Sequence, residues 1–286
     1  MEVWLVNFLN GISFAMILFL LGTGLSLTLG VMGILNLTHG ALFMAGAFIG
    51  WTVITGGGNF WLAALLGGIT AGLIGLVMER AFLRRLYKQL DDQVLLTLGL
   101  VYILGNIALW IYGGHGRVAP PPHFLAFSIH IGDYAFPVYR LALIVIGIIA
   151  YIGLWWFIDR TRAGAIIRAG MDDKEMTMGL GLNYGLVCSA VFSLGAFAGG
   201  FAGAIGTPLI GVSFYMPMDI LLYALIVVVV GGTGSVQGTL VGALAIGLID
   251  AYGKALIPDF AMFTMYVALI ITLLVKPTGI LGRKQV

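Results

Sequence analysis

The sequence predicts an all-α polytopic bundle of about eight or nine membrane segments, some broken or re-entrant, folded as one domain over residues 1–286. Three observations predict it. Hydrophobic residues make up 60% of the chain and charged residues 9%, with a mean hydropathy of +1.08, so no ordinary water-facing surface can be assembled. Apolar runs follow one another with short breaks, near the ~20 residues that cross a bilayer, and leave no separate globular domain. The 43 glycines suit helices that approach closely in lipid, where small residues form the contacts.

In chain order the apolar runs cover residues 4–29, 41–55, 60–78, 94–112, 141–158, 184–205, 220–230, 239–252 and 260–275. Those beginning at 41, 220 and 239 are short for a complete crossing, which is why broken or re-entrant segments are expected there. Residues 1–10 lack the basic stretch that opens a secretory signal, and the run after them is long enough to span, so the first segment is expected to be retained.

The charges between these runs give an orientation. Arg80, Arg84, Arg85 and Lys88 fall in one segment, Arg160, Arg162, Arg168 and Lys174 in a second, and Lys276, Arg283 and Lys284 at the C-terminus, which together hold 11 of the 14 basic residues. The positive-inside rule assigns these segments to the cytoplasm. Arg117, Arg140 and Lys254 then belong outside, together with the loop 113–140 and its Pro120, Pro121 and Pro122 turn. Nine crossings, an outside N-terminus and a cytoplasmic C-terminus satisfy every assignment.

Residues 159–183, DRTRAGAIIRAGMDDKEMTMGLGLN, carry eight of the 26 charged residues between two apolar runs. On a helical wheel Ile167, Met171 and Met178 fall together, with Arg168, Asp172 and Glu175 on another face and Lys174 intruding on the apolar side. Such a helix fits either the groove of a soluble partner or the membrane surface.

In residues 30–51, Asn36, Thr38 and His39 interrupt apolar sequence between Gly33 and Gly40. A broken membrane segment lining a pathway is one reading, since freed backbone groups must face a cavity or be buried in protein. An ordinary cytoplasmic turn, with His39 satisfied by a backbone carbonyl, is the other. The loop GGTGSVQG, 231–238, resembles a phosphate-binding loop only superficially, because it lacks the lysine that reaches the phosphates. Gly231, Gly232, Gly234 and Gly238 are expected to serve flexibility and close helix packing, or a re-entrant turn.

The remaining reactive groups point away from catalysis. Asp250 sits within an apolar run, with Lys254 one turn on as a partner for an interfacial pair. Glu79 and Asp219 lie at run ends and are expected to reach headgroups or water. The single cysteine, Cys188, excludes an internal disulfide and reads as a small packing residue. No catalytic constellation, metal-ligand spacing or ATP-binding motif occurs, so the chain is expected to be no enzyme, to bind no cofactor or metal, and to need an outside energy source.

Four blocks in order, GVMGILNLTHGALFMAGA, RAGMDDKEMTMGLGLN, VVVVGGTGSVQGTLVGALAIGLID and KPTGILGR, resemble the permease subunits of branched-chain amino-acid ABC importers, particularly the H-type subunit of the high-affinity leucine, isoleucine and valine system. Thr38 departs from that pattern, which commonly has Ala. The resemblance implies import of branched-chain or other hydrophobic amino acids by alternating access in a bacterial-type cytoplasmic (inner) membrane. It implies as partners a second homologous permease subunit, two cytoplasmic ATP-binding subunits that use ATP and Mg, and a periplasmic substrate-binding protein, with no nucleic acid. Carried onto this sequence, Arg168, Met171, Asp172, Glu175 and Gly181 would belong to the segment coupled to an ATPase. Asn36, Thr38, His39 and Gly40 would border the substrate pathway. Urea, amides and aromatic or dicarboxylic acids stay open as cargoes. A stand-alone secondary transporter or channel is the other class, with Asp250 as its foothold.

Overall fold

The structure is a computed structural model that describes residues 1–33, 36–87 and 89–282. Lys88, Arg283 and Lys284, used above for orientation, and Ile34 and Leu35 of the first block lie outside the described residues. Helix α1, Glu2–Met32, runs through the middle of the bundle, and 83% of its most apolar window is buried in protein. Its backbone stops at Gly33, whose φ of 68° closes the helix with a bond from the Gly33 N–H to the Leu29 carbonyl. Helix α2 is His39–Thr55, and α3, Phe60–Ala81, starts where the Asn59 side chain accepts from the Trp61 N–H. Helix α4 spans Leu90–Tyr112.

The segment after α4 contains a feature that the apolar runs and charges do not foretell. A small antiparallel hairpin, β1 (Ser128–Ile131) and β2 (Tyr134–Pro137), pairs Ser128 with Pro137 and Ile131 with Tyr134. Helix α5, Val138–Arg160, follows directly. Two short helices come next, α6 (Arg162–Asp172) and α7 (Lys174–Gly179), and then α8 (Tyr184–Ile210), α9 (Met216–Gly231), α10 (Val236–Leu256) and α11 (Ala261–Val275).

All nine apolar runs are helices, and seven of them are long and apolar enough to cross a membrane, the last when the 3-10 turn Pro258–Phe260 that leads into α11 is included. The run at 239 is longer than its hydropathy implied. Ser235 accepts from the Gly238 N–H and starts α10 three residues earlier, giving 21 residues. Helices α2 and α9 stay short, at 17 and 16 residues, or about 24–26 Å by helical rise against a hydrocarbon core of about 30 Å. Their first turns meet inside the bundle, where a Cβ on Gly40 would coincide with the Pro217 carbonyl.

Glycine lets the central helices touch. On α2, α3 and α8, Gly46, Gly67, Gly200 and Gly203 each put backbone where a neighbour's side chain would otherwise stand. Helices α4, α5 and α11 form the lipid-facing rim, with at most 22% of their apolar windows buried. Successive spans alternate in direction, so Arg117, Arg140 and Lys254 lie at one end of the bundle. The remaining described basic residues, among them Arg80, Arg84, Arg160, Arg168 and Lys276, lie at the opposite end.

Candidate functional site

The turn before α2 is an interior feature. Asn36, Thr38 and His39 are all buried, at 2% exposure or less. The Asn36 Oδ1 accepts from the Thr38 N–H at 3.0 Å and from the Thr38 hydroxyl, an Asx turn that positions the start of α2. The His39 ring occupies space left by Gly24 of α1 and Gly199 of α8. Gly195 is eleven residues into α8, about 16 Å along its axis, so His39 is deep in the bundle and not in a surface turn. Neither ring nitrogen has a hydrogen-bond partner among the described residues, although the ring lies against the Gly195 backbone; the Asn36 Nδ2 is likewise unpaired. In this conformation Asn36, Thr38, His39 and Gly40 are enclosed by protein, and none of them lines a described cavity.

At the basic end the four sequence blocks converge. The Gly234 N–H donates to the Ser26 hydroxyl at 2.9 Å, tying the 231–238 loop to α1. The Met171 sulfur packs where side chains on Gly30 and Gly234 would stand. The Ile280 and Leu281 N–H groups donate to the Val230 and Gly231 carbonyls at 2.7 and 3.0 Å, so the C-terminal block rests on the end of α9. Gly231 and Gly238 press backbone to backbone, and Gly232 (φ 104°) and Gly234 (φ 72°) take conformations that side chains rarely adopt.

The 159–183 segment differs from the single amphipathic helix read from its periodicity. The chain breaks at Asp173, whose side chain accepts from the Met176 N–H at 2.9 Å and starts a second helix. A stripe drawn across that break does not exist. Ile167 is buried and Met171 packs on the core, while Met176 and Met178 on α7 and Leu180 just after it are all exposed. Lys174, the apparent intruder, opens α7 with its Nζ 4.9 Å above the Tyr184 ring. Arg168 holds α6 to the end of α5, donating to the Ile158 carbonyl and lying 3.6 Å from Asp159. Asp172 ends α6, Glu175 lies exposed in the first turn of α7, and Gly181 turns the chain toward α8 with φ 78°.

One acid ends up elsewhere than expected. Glu79 is fully buried between α3 and α8, accepting from the Tyr87 and Ser189 hydroxyls instead of reaching headgroups. Burial raises the Tyr87 phenol above its ordinary pKa, and its hydrogen bond to Glu79 adds to the effect, so the donor keeps its proton. Glu79→Ala leaves the Tyr87 hydroxyl without its acceptor and Ser189 with the Gly185 carbonyl alone. It is expected to cost about 2 kcal/mol, read as a lower Tm of the purified protein, with Glu79→Gln costing less. Asp219 is exposed, in the first turn of α9, and faces a cavity.

That cavity, about 700 Å³ at the Arg117 end, is the part of the site that sequence reading missed. It lies between α1, α5, α9, α10 and the end of α8, and all three basic residues of this end, Arg117, Arg140 and Lys254, line it with Asp219 and Asp250. The Lys254 Nζ is 2.6 Å from Asp250, as their spacing predicts, and Tyr223 donates to the same carboxylate at 3.0 Å. Cys188 is a buried free thiol. Among the described residues, no three His, Cys, Asp or Glu side chains are grouped to hold a metal ion.

Apolar helices around a partly polar cavity at one end, with a charged segment of short helices at the other, define a polytopic membrane transport protein. The chain belongs to the family described as branched-chain amino acid transport system / permease component, whose model matches residues 7–275. It is similar to the high-affinity branched-chain amino acid transport system permease protein BraD of Pseudomonas aeruginosa, 25% identical over 99% of this chain and 97% of that protein. It is also similar to LivH of Escherichia coli K12, a permease protein of the same description, at 26% identity over 99% and 97% of the two chains. A probable branched-chain amino acid transport permease LivH of Methanocaldococcus jannaschii is 23% identical over 96% and 91%. No solved structure matches. The relatives are permease proteins of transport systems, in line with a transport role in place of catalysis.

Proposed function

We propose that this chain is the membrane-spanning permease subunit of an ATP-driven importer for branched-chain or other hydrophobic amino acids. The observation that carries this reading is the family match across residues 7–275, nearly the whole chain. The chain is read as a single permease domain in a bacterial-type inner membrane, with residues 113–140 and the N-terminus outside and the C-terminus in the cytoplasm. The separation of basic residues between the two ends of the bundle supports that orientation.

The chain itself binds no cofactor in this reading. It pairs with a second homologous permease subunit, takes substrate from a periplasmic binding protein, and draws energy from two cytoplasmic subunits that use ATP and Mg. The 159–183 segment is the coupling site. Helix α7 and the residue that caps it offer exposed Met176, Met178 and Leu180, and Met171 and Arg168 connect α6 rigidly to α1, α5 and the 231–238 loop. A push on α7 is thereby delivered to helices that surround the Asn36–Gly40 turn, which is the pathway element of an alternating-access cycle.

Reconstitution tests the reading. Proteoliposomes holding the permease pair and both ATPases, supplied with the binding protein, should accumulate radiolabelled leucine only with Mg-ATP, and the ATPases should co-purify with the permeases. Leucine transport by this chain alone, driven by an ion gradient, would refute the importer.

A further inference from the structure

We propose that the 700 Å³ cavity at the Arg117 end is a binding site on the permease itself for a free amino acid, with Arg140 receiving the carboxylate and Asp219 the ammonium group. The proposal rests on the importer reading for its biological sense, but the chemistry comes from how the charges in the cavity are used. Lys254 and Asp250 satisfy one another at 2.6 Å, and Tyr223 completes the carboxylate. Arg117 is held against the wall, although its Nε has no hydrogen-bond partner among the described residues. Its guanidinium stacks 4.4 Å from the centre of the Trp51 ring and donates to the Tyr112 carbonyl, while its backbone pairs with Val212 at 2.7 and 2.8 Å.

Neither Arg117 nor Arg140 has a carboxylate partner among the described residues, and Asp219 is the unpaired anion of the cavity; Arg140, which is not stacked on a ring, is the cation assigned to the ligand. Arg140, half-buried at the start of α5, donates from one guanidinium nitrogen to the Asn10 Oδ1 and has no carboxylate within ion-pair distance among the described residues. A guanidinium carries five donors in a planar fork, so a ligand carboxylate can still be bound there. Asp219 has no hydrogen bond or ion pair among the described residues. Opposite charges that share a cavity without pairing are complementary to a zwitterion, whose two charges sit a fixed short distance apart. The rest of the wall supplies an apolar receptacle for a hydrocarbon side chain, from Phe14, Ile210, Met216 and Ile220. The volume lies within the ~300–1,000 Å³ of small-molecule sites. The site therefore recognises the α-amino acid head and tolerates apolar side chains, which makes the permease selective independently of the protein that delivers the cargo.

The test is direct binding of tritiated leucine to the complete permease–ATPase complex in nanodiscs, without the binding protein. The wild-type complex, Arg140→Gln and Asp219→Asn are compared with three ligands: leucine, leucinamide, which lacks the carboxylate, and 4-methylpentanoate, which lacks the amine. Each substitution is expected to weaken leucine binding at least about tenfold, the loss of one charge-assisted contact. Arg140→Gln should leave the weaker leucinamide binding unchanged, and Asp219→Asn should leave that of 4-methylpentanoate unchanged. A helix-stabilising role for Asp219 alone would lower thermal stability without this ligand-specific pattern and would overturn the proposal. So would a wild-type complex that imports leucine with ATP yet binds none, or variants that bind like wild type. Zwitterion binding retained in a complex that shows no ATP-driven leucine uptake would instead overturn the importer reading and leave this site standing.

Discussion

Gly46→Val is expected to remove folded protein from the membrane. A Cβ on Gly46 of α2 would meet the Gly200 carbonyl and Cα of α8, and a Cβ on Gly200 would in turn meet Ala71 and Gly67 of α3. Three helices therefore share one seam of backbone contacts. A flexible side chain could swing aside, but the obstructing atoms here are main chain, so relief requires α2 and α8 to separate along their length. Overpacking of this kind is expected to cost more than about 3 kcal/mol, a large part of the stability of an ordinary domain. The measurement is the yield of monodisperse protein on size-exclusion chromatography in detergent, with Gly99→Val as comparison. Gly99 lies exposed on α4 with nothing within 4 Å of the place a Cβ would take, and its substitution should leave the yield unchanged.

The second large effect is expected at α7. Met176 and Leu180 are 66% and 69% exposed, an unusual placement for apolar side chains on a charged segment outside the spans. As the contact surface for an ATPase they would lie at the centre of the interface, where loss of an apolar anchor costs about 2 kcal/mol or more. Replacing both with Glu should abolish ATPase co-purification and lower ATP-driven uptake at least about tenfold, while Tm stays within about a degree because neither side chain is buried. Retained co-purification and uptake would move the coupling contact off α7. A fall in Tm would show instead that both residues pack against the bundle.

The two substitutions differ in how far their sites can be read from the chain. Nine helices are legible as apolar runs because lipid demands internally bonded backbone, while their exact ends are set by local caps such as Asn59, Asn183, Ser235 and Gly33. The i, i+4 pair of Asp250 and Lys254 is legible because both residues lie on one helix. Asp173 marks a limit. Its capping bond ends the helical register, and a wheel drawn through it places Met178 on a face it does not share with Ile167. Glu79 marks another, since its position at a span end gives no sign that Tyr87 and Ser189 will enclose it.

By itself, then, the sequence determined the solvent, the all-α class, the spans and the division of charge between two ends, because hydropathy and positive charge act through local composition. Only the tertiary structure decided which residues share a cavity. Asn10, Arg117, Arg140, Asp219 and Lys254 come from far-separated parts of the chain and meet because glycine seams set how α1, α2, α3, α8, α9 and α10 cross. It also decided that His39 lies in the bundle interior and not in an exposed turn, since that depends on Gly24 and Gly199 leaving room for a ring. Close approach is a property of pairs of surfaces, and periodicity along one helix carries no information about the partner it will meet.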